Sequence, residues 1–443
     1  MHRPPARFLM FAAVMAVTLS GGLCAPLSKD EPAPVIPHYD ATDQPFRMAP
    51  MPQSTRSIVV SLTTNLHLAF DTALLRTHTV WSGRGLALLG PQFGLPKAPF
   101  ISTNDTTVLW GMPPVFPWAV GKLPEKDAET LLPGTRFIAV KSSPTRFEYE
   151  LATGGERPAL IQEMPDSFSG AINGLHRHLT VQSNRSELWF LAHAEMCRGE
   201  SLSPQAAVLE RADTALLVSV RGRLDLKLQL QERNASYSVE TVTEQGAVKG
   251  NPRQTISGKE VRAWVQIPPT QPGDIQGIQI TTEVFRSKRD AVEWFQLSAA
   301  RAKVSVCFAR TNSGGPPVFS SAGLRPSAAS TSSYRAEAFP LPKEIELSVC
   351  GMDFLPNGDL VVCTWPGEVF IVEKATGPVK GARYRRFARG LCEPLGVAVR
   401  DGKIYVGTKP GLYRLTDTDG NGEADLFECV SQGWGYYGHY NSF

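Results

Sequence analysis

Gly351-Met-Asp-Phe-Leu-Pro-Asn-Gly358-Asp-Leu-Val-Val-Cys-Thr364-Trp-Pro366-Gly367-Glu-Val-Phe-Ile371 is repeated, with substitutions, as Gly396-Val-Ala-Val-Arg-Asp-Gly402-Lys-Ile-Tyr-Val-Gly-Thr408-Lys-Pro410-Gly411-Leu-Tyr-Arg-Leu415. The offset is 45 residues at the first Gly and 44 thereafter, so one copy is a residue shorter in its turn. Each copy reads as strand, tight turn, strand, Pro-Gly turn, strand. A period in the forties built from several short strands is the pattern of propeller blades. Two such units do not close a propeller, so the expectation is an incomplete one: either the chain is a truncated product of a longer gene, the favoured reading, or the unclosed sheets pack on another part of the protein.

Directly after the second copy comes Asp417-Thr418-Asp419-Gly420-Asn421-Gly422-Glu423-Ala424-Asp425-Leu426-Phe427-Glu428. It fits the twelve-residue EF-hand calcium loop. Calcium is a hard cation that takes six to eight oxygens. The spacing offers the side chains of Asp417, Asp419 and Asn421, the Glu423 carbonyl, Asp425, and a bidentate Glu428, with Gly422 at the sharp turn. The flanks are not helical: strand-forming residues precede the loop and a Gly/Tyr/Trp-rich tail follows. The prediction is a calcium loop set into a β protein. The competing reading is an ordinary solvated Asp/Asn/Gly turn.

These residues carry a resemblance. "GMDFLPNGDLVVCTWPGEVFIV", "GLCEPLGVAVRDGKIYVGT" and "LYRLTDTDGNGEADLFE" resemble the opening of the propeller in large exported proteins of Planctomycetes and Verrucomicrobia, the membrane-bound dehydrogenase-like proteins. "RSIVVSLTTNLHLAFDTALLRTHTVWSGRG" resembles the uncharacterised domain that precedes that propeller. The resemblance implies a fold similar to the six-bladed glucose/sorbosone dehydrogenases, which use pyrroloquinoline quinone, and hence sugar or alcohol substrates in a full-length relative. The chain departs from the family at two places. Cys392-Glu393 stands where His-Glu is common, and Asn441-Ser442-Phe443 stands where a His-Glu-Phe is expected.

Working outward, residues 1–25 read as an export signal: a basic start, an apolar run from Phe8 to Leu19, and small residues for cleavage. That run is too short to cross a bilayer. The expected location is therefore exported, periplasmic or extracellular, with membrane association through a lipidated Cys24 as the alternative (Leu23 fits a lipobox poorly) and no transmembrane span in the mature chain. Residues 26–54 are Pro-rich and read as a linker. Residues 55–312 read as a β-sandwich-like domain, with one helix over Lys288 to Ala299. Residues 313–337 read as a Ser/Gly/Pro linker, and 338–443 as the propeller segment. The class is all-β. A net charge of +3 over 443 residues gives no reason to expect nucleic acid as a partner.

Chemistry-bearing candidates are few. Past Cys24 six cysteines remain, and an oxidising compartment permits disulfides. If the hairpin turns at Leu355-Pro356-Asn357-Gly358, residues whose numbers sum to 713 face one another, which sets Cys350 opposite Cys363. Cys392 and Cys429 are a second candidate pair; buried, reduced thiols are the alternative for all four. No C-x-x-C-H is present, so the chain carries no covalent haem site. His176 and His178 share one face of a strand, and a hairpin at Asn184-Arg185 would bring His193 and Glu195 alongside as metal ligands. Solvent-facing histidines are the commoner outcome. Trp81, Trp110 and Trp118 border a Gly/Pro-rich stretch, Gly90 to Trp118, and could form an aromatic platform or simply pack in the core. The functions in view are part of a quinone-dependent dehydrogenase that is catalytically incomplete in this chain, and a non-catalytic module binding glycan or another wall component.

Overall fold

A computed structural model describes residues 38–39, 45–51, 54–87, 106–125, 131–155, 157–167, 174–182, 184–222, 226–240, 253–271, 273–301, 318–320, 339, 341–345, 347–376 and 381–434. The expected export signal, Cys24, Cys307, most of both linkers and the Asn441-Ser442-Phe443 terminus lie outside them. The described chain is all-β apart from one helix, Lys288–Arg301. That helix starts where Ser287 Oγ accepts the Asp290 amide at 3.2 Å, a side-chain cap. It lays Ala291 over Val208, Ala215, Leu217 and Phe285.

The strands form four substantial sheets. The first is an antiparallel meander of Arg47–Met51, Ser54–Thr63, Leu66–Asp71, Arg76–Gly83 and Thr106–Gly111. Its opening strand corrects the linker expectation for 26–54. Phe46, Met48 and Met51 are buried, and Pro50 falls at the irregularity between Ala49 and Met51, where a missing N–H costs no ladder bond. Its last strand lies within the Gly/Pro-rich stretch Gly90 to Trp118, of which residues 90–105 fall outside the described ones.

The second sheet runs through twelve strands. Eight of them come from the chain between Arg136 and Phe285, with Arg198–Ser203 at one edge. At Arg136–Ser142 it continues into Leu426–Ser431, with Leu426 opposite Lys141 and Glu428 opposite Ala139. The third sheet holds Lys227–Glu240, Arg253–Ile267, Leu188–Glu195 and Trp118–Val120. Period-two alternation decides which faces meet. In Thr145–Leu151 the buried side chains are Phe147, Tyr149 and Leu151, while Arg146, Glu148 and Glu150 face outward. Phe147 stacks on Phe70 of the first sheet at 4.1 Å between centroids and 9° between planes. Burying one such ring stabilises by roughly 1.5–3 kcal/mol.

The repeat folds as two antiparallel four-strand meanders. The first is Val349–Phe354, Leu360–Thr364, Val369–Glu373 and Arg383–Ala388; the second is Gly396–Arg400, Lys403–Gly407, Leu412–Thr416 and Leu426–Ser431. Each therefore has a fourth strand beyond the three legible in the repeat. Strand Val318–Ser320, inside the expected 313–337 linker, pairs with Arg383–Arg385 at the outer edge of the first. The repeated Thr and Pro-Gly have a shared cause. Thr364 Oγ1 accepts the Glu368 amide at 3.2 Å, and Thr408 Oγ1 accepts the Gly411 amide at 3.3 Å, so the hydroxyl clasps the same turn in both copies. Gly367 sits at φ 107°, and a Cβ there would lie 2.0 Å from the Leu391 carbonyl oxygen, so no other residue fits.

The meanders meet along their first strands. A Cβ on Gly351 would come within 2.9 Å of the Val397 nitrogen, and Asp353 Oδ2 accepts the Val399 amide at 2.7 Å. The sequence boundary at 313–337 does not separate the sheets, because the second meander shares its sheet with Arg136–Ser142. Residues Pro37–Phe443 form one compact unit. No described helix is long and apolar enough to cross a membrane.

Candidate functional site

The Asp417–Glu428 segment joins the third and fourth strands of the second meander. Its first half is a chain of Asx turns. Asp417 Oδ1 accepts the Gly420 amide at 2.7 Å and its Oδ2 the Gly422 amide at 2.8 Å. Asp419 Oδ1 accepts the Asn421 amide at 3.1 Å, and Asn421 Oδ1 the Glu423 amide at 2.8 Å. Gly420 at φ 75° and Gly422 at φ 93° make the reversals. Each of these four oxygens accepts one backbone N–H and keeps further lone pairs, while Asp419 Oδ2 accepts the Asn421 side-chain amide at 3.1 Å.

The second half departs from an EF-hand. Asp425 Oδ1 accepts the Thr418 amide and Oδ2 the Thr418 hydroxyl, both at 2.6 Å, with Lys141 Nζ at 3.4 Å from Oδ2. Burial works against its charge, but the Thr418 bonds and the Lys141 ammonium hold the carboxyl below its usual range. Leu426 already begins a strand, so Glu428 lies on a ladder opposite Arg414, which grips both its oxygens. Sequence spacing sent Glu428 toward the ion as a bidentate ligand; the register turns it to Arg414. A strand with period two cannot deliver a twelfth-position ligand as the helix of an EF-hand does.

The loop is clamped by neighbours from two other strands. Ala424 donates its amide to the Phe387 carbonyl at 2.6 Å, Ser142 donates to the Asp425 carbonyl at 2.9 Å, and Arg385 donates to the Gly422 carbonyl. The Glu423 carboxylate lies 2.9 Å from Arg389 and 3.9 Å from Arg386. Sequence reasoning missed Thr418, Lys141 and these arginines. The signal was there for the last: Arg383, Arg385, Arg386 and Arg389 are a basic run set against an acidic loop. Among the described residues no group of three or more His, Cys, Asp or Glu side chains is gathered as a metal site. The donors that suit calcium in kind are the oxygens of Asp417, Asp419, Asn421, the Glu423 carbonyl and Asp425. A cavity of about 430 Å³ lies against the same loop, lined by Asp417, Lys403, Arg414 and Glu428 over Phe387 and Ile404.

The histidine expectation is overturned. Gly174–Gln182 pairs with Ala159–Ser167 and Ile275–Phe285, whereas Leu188–Glu195 pairs with Arg253–Ile267 and Trp118–Val120, so no hairpin forms at Asn184-Arg185. Asn184 instead binds the Pro268 carbonyl at 3.0 Å as the chain crosses between sheets. His176 engages Thr281 Oγ1 at 2.8 Å on one sheet. His193 is buried on another, 3.1 Å from Glu195 Oε2, and burial lowers its pKa. Trp81, Trp110 and Trp118 are all buried, so packing, the competing reading, is what the structure shows in place of a platform.

The cysteine register also differs from expectation. Residues 360 and 354 pair and Gly351 faces Cys363, a sum of 714, with a slip before Val349 meets Thr364. The turn is a residue longer than assumed, since Leu355 donates to the Asp359 carbonyl at 2.8 Å. Cys197, Cys350, Cys363, Cys392 and Cys429 carry free thiols. Cys392 is buried beside Glu393, Arg47 and Lys409, and burial pushes its thiol up to about 12. Cys429 lies by Arg56 and Arg136, and burial pushes its thiol up to about 11.

Where the first three sheets meet lies a buried polar network. Glu163 accepts from Thr77 Oγ1 at 3.4 Å and from Tyr149 Oη at 3.5 Å, and Trp118 Nε1 donates to Tyr149 Oη at 3.3 Å. Arg177 donates to the Ala192 carbonyl, and its guanidinium stands 5.4 Å from the Phe190 ring centre. Burial raises the Glu163 carboxyl and Arg177 opposes that rise. These groups join sheets and leave no open face for a substrate.

No protein-family model matches the sequence, and a search of curated proteins finds no match.

Proposed function

We propose that this chain is an exported calcium-binding β protein, with a sandwich-like region followed by two propeller-type blades, resembling the front part of a quinoprotein dehydrogenase-like protein and without catalysis of its own. The observation that carries the calcium reading is the run of Asx turns at Asp417, Asp419 and Asn421. It already commits backbone N–H groups to one side of the side-chain oxygens, as an ion loop requires. Calcium would be held by Asp417, Asp419, Asn421, the Glu423 carbonyl and Asp425, in place of the Lys141 contact, with Glu428 outside the set. The ion would fasten the second meander to Phe387 and Ser142, where the loop is anchored. Because Lys141, Arg386 and Arg389 offset the loop's acids, affinity belongs in the range of extracellular modules, about 10⁻⁴–10⁻³ M.

The test is calorimetric titration of the full chain with calcium, beside thermal unfolding in calcium and in chelator. At 100 times the dissociation constant, native-state binding stabilises by about 2.7 kcal/mol. The Asp417→Ala/Asp419→Ala double variant should lose both the heat and the stabilisation. No heat from the wild-type chain at millimolar calcium would sink the reading.

The cavity beside the loop favours one further reading, a carbohydrate or small alcohol as ligand. Its apolar floor and charged rim suit a polyol's two faces. Saturable shifts in the amide resonances of Lys403 and Asp417 on adding a monosaccharide would support it.

A further inference from the structure

Continued without a break, the register of the first meander's hairpin would set Cys350 opposite Thr364; the bulge instead leaves Cys350 beside Gly351, across from Cys363. Phe354 through Gly351 pair with Leu360 through Cys363, and Val349 then pairs with Thr364. Cys350 is the extra residue, so Cys350 and Gly351 together oppose Cys363. Gly351 leaves the space empty of side chain, and a Cβ there would sit 3.1 Å from Cys363 Sγ. The Cys363 sulfur therefore lies over the bulge, next to the only side chain the bulge carries. Cys363 is buried with its Sγ 3.9 Å from the Pro394 carbonyl oxygen, while Cys350 is half-buried, its Sγ 3.5 Å from the Ser348 carbonyl oxygen. The other candidate pair, Cys392 and Cys429, lies on either side of the buried Tyr413, and no strand register sets the two opposite each other. Cys392 has Glu393, Arg47 and Lys409 for charged neighbours, and Cys429 has Arg56 and Arg136.

We infer that Cys350 and Cys363 are a site of oxidative cross-linking, closing a disulfide across the bulge when the chain meets a small-molecule disulfide oxidant such as oxidised glutathione. The half-exposed Cys350 thiolate attacks the oxidant, its S–S bond breaks, and one glutathione thiol leaves. The Cys363 thiolate then attacks the Cys350 sulfur, forming the protein disulfide and expelling the second glutathione thiol. Two protein thiols are oxidised, one external disulfide is reduced to two thiols, and the two protons pass to the leaving thiolates. Burial pushes the Cys363 thiol up to about 12 and also raises Cys350, so exchange is slow near neutrality and speeds up in alkali. The bond would fix the edge strand at the point where Gly351 packs on the Gly396–Val397 backbone. It is a structural clasp and not a fast switch.

Trypsin gives a clean readout. Residues 344–374 form one peptide between Lys343 and Lys374 that contains Cys350, Cys363 and no other cysteine. The full chain is incubated in oxidised glutathione at pH 8, alkylated with iodoacetamide, digested and weighed. The expected peptide is lighter by two hydrogens and carries no alkyl group, and wild-type protein so treated unfolds at higher urea than the reduced form. Cys350→Ser should leave one alkylatable or glutathione-bearing thiol in that peptide and abolish the urea shift. A wild-type peptide bearing two alkyl groups, a persistent glutathione adduct on it, or a link from either thiol to Cys392 or Cys429 would overturn the inference.

Discussion

Replacing Arg177 by Met tests whether the Glu163 network holds the sheets together. The substitution keeps an apolar stem beside Phe190 but removes the charged donor to the Ala192 carbonyl and the cation that opposes protonation of Glu163. Removing one partner of a buried charge pair typically costs about 3–5 kcal/mol. Glu163 can limit the loss by taking a proton, and that makes the cost depend on pH. Its folded pKa is already raised by burial, and losing Arg177 raises it further. A group raised in the folded state contributes stability that is fully present below its unfolded pKa and is lost as pH rises through the folded pKa. The variant should therefore be least impaired in acid and most impaired in alkali, each further tenfold gain in the proton affinity of folded Glu163 adding about 1.4 kcal/mol of difference. Urea unfolding at pH 5 and pH 8 reads this out. With a slope near 3 kcal/mol per molar, the pH 8 midpoint should fall by about 1–1.7 M, and by less at pH 5. Adding Glu163→Gln should remove most of the pH dependence, since an amide cannot titrate. A midpoint shift below about 0.3 M, or one equal at both pH values, would refute the reasoning.

Other outcomes follow from single contacts. Gly367→Ala should destabilise by at least about 1–3 kcal/mol through its backbone conformation alone, with the Leu391 carbonyl clash added, and hydrogen exchange should quicken in residues 360–373 first. Equal exchange rates in variant and wild type would contradict the turn. Phe70→Ala should cost about 3–5 kcal/mol in urea unfolding because the ring is fully buried on Phe147. A cost under about 1 kcal/mol would mean that the first two sheets do not pack as described.

Much of the β character was legible because it depends on local pattern. Thr145–Leu151 and Gly174–Gln182 alternate apolar and polar residues, and the helix at Lys288 follows a serine cap; these need only the neighbouring residues. The candidate ion loop was legible for the same reason, because its Asx turns close within a few residues of one another. What failed were inferences about pairing. His178 and His193 are separated by a crossing between sheets, and nothing in residues 182–187 distinguishes a crossing from a hairpin. The Cys350–Cys363 register missed by one because a slightly longer turn changes the sum for the whole hairpin, and the bulge then leaves Cys350 beside Gly351, the residue that faces Cys363.

The sequence by itself determined an all-β chain, a repeated strand unit with a shared Thr and Pro-Gly turn, and an Asp/Asn/Gly-rich acidic loop after its second copy. Each rests on interactions between residues near in the chain. Only the tertiary structure decided that Glu428 answers Arg414, that Asp425 is held by Lys141, that three tryptophans are core, and that Leu426–Ser431 continues the sheet begun at Arg136. Those partners lie tens to hundreds of residues away. Which of many chemically suitable partners a side chain meets is set by how the sheets stack, and stacking is a property of the whole buried surface.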